Sequence, residues 1–224
     1  MSNFFKFPST PHIILPEEAE PRKEKVMPAK EIEELLQHEL IVEEKVDGAN
    51  LGISYDSAGN LCLQNRGSWL QEPLIGQWKQ LKAWVEKKQN ELFDFLLDQY
   101  ILFGEWCYAV HSIYYNELPD FFIGFDLYDK KTGKFLSADR RNEMLNHMGI
   151  SIICQYSKGF FQLKDLHSLF SKSNYGDTMC EGLYIRWDEN GWLKKRAKLV
   201  RYDFRQEIDD HWSRKELKRN GVLL

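Results

Sequence analysis

The sequence predicts one α+β domain in which antiparallel sheets are flanked by helices. Short apolar runs rich in aromatic residues are typical of strands, and they alternate with segments whose apolar residues recur at helical spacing. The 224 residues are 43% hydrophobic and 14% aromatic, a composition that excludes a disordered chain. Because the sequence has no internal repeat, low-complexity segment or long linker, we expect a single core.

The first half of the sequence predicts helices and strands in alternation. Ile32, Leu35 and Leu36 lie on one face of a helix over residues 28–39. Strands are predicted over residues 41–46, 50–55 and 61–66. A long helix over 74–98 carries an apolar stripe, which predicts core packing rather than a binding face. The residues of this stripe are Trp78, Leu81, Trp84 and Val85.

The second half continues the mixed pattern. Strands are predicted over residues 100–105, 121–128, 150–154, 182–187 and 192–200. Helices are predicted over 138–148 and 164–172, and the first of them stops at Gly149, a residue type that commonly ends helices. The Asp-Glu-Asn-Gly sequence at 188–191 is typical of a turn between the last two strands.

One short motif carries the strongest chemical indication. The sequence Lys45-Val46-Asp47-Gly48 lies at the end of a predicted strand. Enzymes that attach a nucleoside monophosphate covalently to lysine carry Lys-x-Asp-Gly in their nucleophile loop. Alone, the tetrapeptide is weak evidence, because Asp-Gly is also among the commonest hairpin turns. Its meaning therefore depends on motifs elsewhere in the chain.

Nucleotidyl transfer to a lysine requires several other groups. The lysine must be neutral to attack a phosphate, so neighbouring cations or desolvation must lower its pKa. Carboxylates are needed to hold a divalent metal that neutralises phosphate charge, and an aromatic ring is needed to stack on the base. Candidates for each of these follow in order. They are Arg66, Glu105 in Phe-Gly-Glu-Trp, Phe125 in an aromatic strand, Glu181 in Cys-Glu-Gly, and the basic strand 194–201.

In order and content, these segments resemble the covalent nucleotidyltransferase superfamily, and within it the ATP-dependent RNA ligases, including the compact nick-sealing kind. The resemblance covers residues 8–215. Residues 108–113 and 118–120 are similar to RNA ligases rather than to capping enzymes. The resemblance implies the nucleotidyltransferase fold, also called the ligase adenylylation fold.

The resemblance also implies a role for each motif residue. Lys45 would be the adenylylated nucleophile, Glu44 would read the adenine edge and Phe125 would stack on adenine. Arg66 would meet the ribose or a phosphate, and Asn50 also belongs to the implied nucleotide-binding set. The implied metal-binding residues, which would hold a magnesium or manganese ion through water, are Asp47, Glu105 and Glu181, with Glu105 also near the ribose.

The last motif departs from the family pattern. The family usually has Lys-x-Lys at this position, whereas this chain has Arg196-Ala197-Lys198. Both basic residues would contact the AMP and triphosphate oxygens. A guanidinium keeps its charge but cannot give up a proton as an ammonium can. Lys198 is therefore the expected aid to lowering the pKa of Lys45, and the role of Arg196 stays open. The implied catalytic set is Lys45, Asp47, Glu105, Glu181 and Lys198.

The resemblance implies an ATP-dependent RNA ligase that joins 3′-hydroxyl and 5′-phosphate ends. AMP would pass from ATP to Lys45 and then to the 5′-phosphate, and a 3′-hydroxyl would finally displace it. The expected partner is RNA or an RNA-containing nicked duplex, with a nucleic-acid-binding or repair protein as a further candidate. Two alternatives stay open: an ATP-dependent DNA ligase, and a nucleotide- or RNA-binding protein without catalysis.

Read individually, the same residues also have structural interpretations. Glu105 is compatible with a solvated carboxylate at a strand end, and Phe125 with simple core packing. A charged strand at 194–201 is compatible with a solvated edge that guards against aggregation. The common order of the segments, and not any one residue, favours the enzyme.

The charge is unevenly distributed along the chain. The net charge is −4, and residues 194–219 carry ten Lys or Arg and five Asp or Glu, hence +5, so residues 1–193 carry −9. The basic segment is a candidate phosphate-binding surface, with an ordinary amphipathic helix as the alternative. We expect an adenylyltransferase domain over 1–203, a basic helical tail over 204–224 and no oligonucleotide-binding (OB) domain.

The cysteines and the apolar runs indicate the compartment. Cys62, Cys107, Cys154 and Cys180 are widely spaced and form no Cys-x-x-Cys pair, which argues against a zinc site or a disulfide framework. No apolar run has the length of a membrane span, and the first residues lack the pattern of a secretion signal. These features predict a cytoplasmic protein with no membrane partner.

Overall fold

The computed structural model describes residues 4–13, 25–202, 204 and 217–223. The helices in these ranges are α1 (Ala29–Leu36), α2 (Leu81–Lys87), α3 (Gln89–Leu96), α4 (Ala138–His147) and α5 (Leu163–Ser168), with a 3-10 turn at Gly76–Trp78. The strands there are β1 (Leu40–Lys45), β2 (Ala49–Tyr55), β3 (Leu61–Gln64), β4 (Tyr100–Trp106), β5 (Phe122–Asp129), β6 (Lys134–Phe135), β7 (Ser151–Ile152), β8 (Gln155–Gly159), β9 (Gly182–Glu189) and β10 (Trp192–Val200).

The described strands form two sheets. The first has the order β10-β9-β1-β8, and all its neighbours are antiparallel. The second has the order β3-β2-β4-β5-β6, with β7 pairing beside β5 in parallel. The predicted α+β fold of antiparallel sheets with flanking helices is confirmed. The one parallel pair among the described strands was not predicted.

The prediction of one continuous helix over 74–98 is wrong. The chain forms a 3-10 turn and then two helices, which separate at Lys88 with φ −113° and ψ 7°. The break lets Trp84 on α2 and Leu92 on α3 enter the same core, which covers one face of the second sheet. The core role of the aromatic stripe is confirmed. Periodicity predicts which residues are buried, but the break depends on what they pack against.

Strand β8 was not predicted. Its sequence Gln-Tyr-Ser-Lys-Gly has no apolar alternation, and none of its residues is fully buried. It forms the edge of the first sheet, where it pairs with β1 from Leu40 to Glu43. An edge strand needs no buried face, because its position is secured by backbone hydrogen bonds to one neighbour.

Residues 4–13 join the two sheets. The backbone N–H of Lys198 on β10 donates to the carbonyl of Pro11 at 2.9 Å, and Ile13 donates to the carbonyl of Lys198 at 2.8 Å. Towards the second sheet, the Gln64 side chain donates to the carbonyl of Phe5 at 2.8 Å. This segment therefore spans the opening between the sheets.

A buried ionic network also holds the sheets together. Asp126 on β5 accepts hydrogen bonds from Arg186 on β9 at 2.5 Å and from Arg196 on β10 at 2.8 Å. Glu43 on β1 pairs with Arg141 on α4 at 2.6 Å, and both of these side chains are 1% exposed. The acidic and basic members lie on opposite sheets or on a helix, so the network secures their relative position.

The predicted helical tail over 204–224 is described only in part. Residues 205–216 lie outside the described residues. Residues 217–223 are extended, and Arg219 and Val222 form β-bridges to Ala109 and Leu118. The helical prediction is therefore wrong over 217–223, because the backbone there pairs with a distant loop. No helix in the described ranges combines the length and apolar character needed to cross a membrane.

Candidate active site

A cavity lies between the two sheets, at the ends of β1, β4 and β9. Its lining combines charged groups from several strands with an apolar side. The lining residues are Phe7, Thr10, Glu43, Glu44, Lys45, Val46, Asn50, Arg66, Glu105, Phe125, Ile153, Tyr184 and Lys198.

Lys45 is the last residue of β1, a strand that has neighbours on both sides. Its register partner on β9 is Gly182, directly after Glu181. This pairing brings the Nζ of Lys45 to 2.6 Å from the Oε2 of Glu181. A side chain at position 182 would collide with the backbone of Leu199 on β10, so the Glu-Gly sequence is required by close strand packing.

The ion pair controls the protonation of Lys45. Partial burial disfavours the charged amine, but the carboxylate of Glu181, with Glu105 and Asp47 nearby, outweighs this effect and raises the pKa of Lys45. The lowered pKa expected for a nucleophile is therefore not present while this pair is closed. Attack on a phosphate requires the pair to open or the carboxylates to be neutralised.

Asp47 is oriented by backbone amides. Its Oδ2 accepts hydrogen bonds from the N–H of Ser112 at 2.7 Å and of Ile113 at 3.0 Å. Its own N–H donates to the hydroxyl of Tyr115 at 2.8 Å. Asp47 does not line the cavity, but its charge acts on both Lys45 and Glu181.

Glu105 and Asn50 present buried polar atoms without partners. They are register partners on β4 and β2, so both side chains lie on one face of the second sheet. The Oε2 of Glu105 and the Oδ1 of Asn50 are buried and have no hydrogen-bond partner. Unpaired buried polar atoms are costly in a folded protein, so these two acceptors are suited to contact a ligand in the cavity.

Each carboxylate near the cavity disfavours ionisation of the others. Burial, with Glu181 and Asp47 nearby, raises the pKa of Glu105 to about 8. Burial and Asp47 likewise raise the pKa of Glu181 to about 7, against the effect of Lys45. A cation would relieve this accumulation of negative charge. Across the described ranges, no three His, Cys, Asp or Glu side chains are placed to ligate one metal ion directly. Binding of a metal ion through water stays a prediction.

The apolar side of the cavity is built from aromatic rings. Phe125 on β5 is partly buried, and Phe7 packs against it edge-to-face with ring centroids 5.4 Å apart. Tyr184 on β9 and Ile153 complete this side. Sequence analysis identified Phe125 but missed the other three, because none of them belongs to a motif. For Phe7, the available sequence signal was the cluster of aromatic residues in the first ten positions.

Glu44 lines the cavity, and its carboxylate is also hydrogen-bonded by residues that do not line it. It is 1% exposed, and its carboxylate accepts hydrogen bonds from the Ser173 hydroxyl at 2.5 Å and from the Asn174 N–H at 3.0 Å. Each carboxylate oxygen can accept more than one hydrogen bond. The geometry thus fixes the direction of Glu44 and leaves it able to contact a bound group.

The cavity carries cations on two sides. Arg66, exposed at the end of β3, lines it and donates weakly to the Ser9 hydroxyl at 3.4 Å. Lys198 on β10 lines it from the first sheet, and its charge lowers the pKa of Glu181. Lys45, Arg66 and Lys198 therefore surround the same space, as expected for a site that binds phosphates.

Arg196 does not reach the cavity. It donates to Asp126 at 2.8 Å and to the Tyr184 hydroxyl at 3.2 Å, and its guanidinium lies 4.5 Å from the centre of the Phe7 ring. The expected contact of Arg196 with AMP and triphosphate oxygens is not supported by this position. Asp126 is buried on the opposite sheet and attracts the guanidinium inward, so Arg196 supports the cavity wall.

Solved structures similar in fold are RNA ligases of the nucleotidyltransferase type. Naegleria gruberi RNA ligase with PPi has a TM-score of 0.64 and 21% identity over 81% of this chain and 55% of that chain. A variant of the same ligase with ATP and Mn gives 0.64 and 15%, covering 90% and 62%. An archaeal ATP-dependent RNA ligase gives 0.60 and 17%, covering 87% and 48%. These similarities show a shared fold.

A sequence model of the RNA ligase family matches residues 38–200, most of the chain. The chain therefore belongs to the RNA ligase family. It spans about half to three fifths of the length of the solved ligases named above. No curated protein matches it.

Proposed function

We propose that this protein is an ATP-dependent RNA ligase that works through a lysine-AMP intermediate. The observation that carries the proposal is the position of Lys45. Its amine enters a cavity that also contains an aromatic platform, partner-free polar atoms on Glu105 and Asn50, and the cations Arg66 and Lys198. Ligases similar in fold were solved with ATP, AMP and Mn, which supports ATP as the AMP donor.

In the first step, the Nζ of Lys45 attacks the α-phosphorus of ATP. A P–N bond forms, and the P–O bond to pyrophosphate breaks with its electron pair leaving on the pyrophosphate. Lys45 must first lose the proton that makes it an ammonium, and Glu181, 2.6 Å away, is in position to receive it. Phe125 and Phe7 would hold the adenine, while Arg66 and Lys198 would bind phosphate oxygens.

The donor set fits a divalent metal ion. Asp47, Glu105 and Glu181 offer carboxylates, which suit magnesium or manganese, and the free Oε2 of Glu105 is a buried acceptor without another partner. These residues would hold the ion through water molecules. When bound, such an ion supplies charge neutralisation on the phosphates. The amides of Ser112 and Ile113 keep Asp47 directed at its position in this set.

In the second step, a 5′-phosphate oxygen of RNA attacks the phosphorus of lysine-AMP and breaks the P–N bond. In the third, a 3′-hydroxyl attacks the 5′-phosphorus and expels AMP, which seals the strand. RNA or an RNA-containing nicked duplex is the proposed substrate. We assign these steps to an adenylyltransferase domain over 1–203, with the basic 204–224 tail and any nucleic-acid-binding partner assisting RNA binding.

No disulfide joins any of the four cysteines, all of which lie in the described ranges, and Cys107 and Cys180 are buried. Free thiols are typical of reducing compartments, which supports a cytoplasmic location.

The decisive experiment is covalent labelling. The full chain is incubated with ATP or GTP labelled at the α-phosphate and with manganese, then separated under denaturing conditions. Label is expected with ATP, absent with GTP, and lost in Lys45→Ala. Lys194→Ala is the matched control, because Lys194 is exposed on β10 and pairs only at the surface with Glu189. If the unaltered protein takes no label, a binding protein without catalysis replaces this proposal.

A second assay identifies the nucleic acid. Nicked duplexes are prepared that differ only in the sugars on the 3′-hydroxyl and 5′-phosphate sides of the nick. Sealing is expected of nicks that contain ribose, and the series shows on which side of the nick the ribose is required. Equal or faster sealing of an all-deoxyribose nick would instead identify a DNA ligase.

A further inference from the structure

The loop between β4 and β5 is paired with the 217–223 segment. Residues 107–121 of this loop form no helix or extended strand, so their backbone groups need partners elsewhere. Several are supplied by the segment: Val110 donates to the carbonyl of Lys218 at 2.8 Å, and Leu223 donates to the carbonyl of Leu118 at 2.8 Å. The loop and the segment are separated by about a hundred residues in sequence and form one unit in the fold.

Asn220 is the centre of this pairing. It is 2% exposed, and its side chain accepts from the Tyr115 N–H at 2.9 Å while donating to the carbonyls of Cys107 at 2.9 Å and Ala109 at 3.2 Å. Its own N–H donates to the carbonyl of Tyr108 at 3.0 Å. One amide side chain thus joins the start of the loop, at Cys107 and Ala109, to Tyr115 in its middle, because an amide carries both a donor and an acceptor.

The neighbours of Asn220 bring the segment close to the loop. A side chain at Gly221 would lie 3.0 Å from the carbonyl oxygen of Asn116, so a glycine allows the backbones to approach. The guanidinium of Arg219 lies 4.9 Å from the centre of the Phe121 ring and 5.8 Å from that of Tyr108.

The same loop orients Asp47. Ser112 and Ile113, whose amides bind the Asp47 carboxylate, lie between the two points that Asn220 holds. Tyr115 contacts both sides, because its N–H donates to Asn220 and its hydroxyl accepts from the N–H of Asp47. A continuous set of hydrogen bonds therefore runs from Asn220 to Asp47, and none of the contacts involves the aromatic side of the cavity.

We propose that Asn220 is a positioning residue for the nucleotidyl-transfer reaction. It fixes the loop between β4 and β5 so that the amides of Ser112 and Ile113 hold the Asp47 carboxylate in the orientation that the reaction requires. This inference rests on the proposed function. Loss of Asn220 lowers the turnover and raises the metal concentration required, because Asp47 acts on the metal and the phosphates. The affinity for ATP changes little, because the rings and the cations of the cavity are untouched.

The test compares the unaltered chain, Asn220→Ala, Asp47→Asn and the double variant in adenylylation rate, with manganese and ATP titrated separately, and in manganese affinity measured by calorimetry without nucleotide. For Asn220→Ala we expect about a tenfold loss of rate and a similar rise in the manganese requirement, with the KM for ATP within about twofold. In the Asp47→Asn background, the same change should cost little more, since residues acting as one unit are not additive. Glu117→Ala, which removes an exposed side chain of the same loop but keeps the backbone hydrogen bond to Tyr175, is the control and should behave as the unaltered chain.

Tyr115→Phe provides an independent variant if Asn220→Ala does not fold. It keeps the ring and the contact to Asn220 but removes the hydroxyl that Asp47 contacts, and the same rise in manganese requirement is expected. Equal and additive losses in both backgrounds, or a loss confined to the KM for ATP, would overturn the inference. Failure of the unaltered chain to take label would instead overturn the proposed function.

Discussion

The Nζ of Lys45 and the Oε2 of Glu181 are 2.6 Å apart, so the proposed nucleophile is held in an ion pair with a carboxylate of its own site. The pair links β1 to the start of β9. It favours the ammonium form of Lys45, which cannot attack a phosphate. In the proposed reaction, this pair must therefore open or pass its proton to Glu181 before Lys45 attacks.

Replacing Glu181 by Gln should separate the two roles of this carboxylate. Glu181 makes the largest contribution that raises the pKa of Lys45, so in Glu181→Gln the amine should react faster with an amine-directed reagent. Adenylylation should nevertheless fall, by about tenfold or more, because a carboxylate that we propose holds the metal ion through water is lost. Reagent labelling is read by mass spectrometry of the Lys45 peptide. Glu189→Gln, at a surface pair with Lys194, is the control. Unchanged labelling of Lys45 would contradict this account.

Metal binding should release protons near neutral pH. The pKa of Glu105 is raised to about 8 and that of Glu181 to about 7, so without metal Glu105 is mainly protonated at pH 7. A metal ion favours the ionised carboxylates, hence its affinity should rise with pH from about 6 to 8 and level off above. Calorimetry of manganese binding in buffers of different ionisation enthalpy measures the protons released. Fewer should be released by Glu105→Gln. Heats that do not depend on the buffer would count against this prediction.

Arg196 and Lys198 should behave differently although they belong to one motif. Arg196→Lys loses the contact of the guanidinium with the Phe7 ring and its hydrogen bond to Asp126, and we expect a loss of about 1–3 kcal/mol in the free energy of unfolding. Lys198→Ala should mainly lower the rate of adenylylation. Urea unfolding and initial rates are measured for both variants. A catalytic defect in Arg196→Lys without loss of stability would show that Arg196 meets the nucleotide.

The pair Asp126 and Arg186 should be coupled in stability. Both side chains are fully buried and 2.5 Å apart. Asp126→Asn removes the nearest carboxylate of Arg186 and leaves it only the more distant ones of Asp188 and Glu43, so this change should cost about 3–5 kcal/mol. Adding Arg186→Met should cost less than the two single changes together. The free energies come from urea unfolding of the four proteins. Strict additivity would mean that the two side chains do not interact.

Phe7 should contribute to nucleotide binding although no motif contains it. It packs on Phe125 and lines the cavity, so Phe7→Ala removes support for the base platform. We expect the KM for ATP to rise about tenfold, in the range typical of lost base stacking. Phe4→Ala is the matched control, because Phe4 packs on Trp69 and does not line the cavity. An unchanged KM for ATP in Phe7→Ala would show that the Phe7 ring does not contribute to nucleotide binding.

Local sequence patterns determined the fold class, most element positions and the motif residues at the cavity. Lys45, Glu105 and Glu181 were identified because their motifs, taken in order, resemble those of RNA ligases. The strands that carry them were predicted because burial follows a short period along the chain. Four more residues of the implied nucleotide-binding set also line the cavity: Asn50, Arg66, Phe125 and Lys198.

Tertiary structure alone decided the rest. The break of the predicted helix at Lys88, the inward turn of Arg196 towards Asp126, and the contribution of Phe7 to the cavity all depend on neighbours far away in sequence. So does the pairing of Asn220 with the loop that orients Asp47. A local pattern records whether a residue prefers to be buried, but not which distant group it meets, because that choice is made when the two sheets pack together.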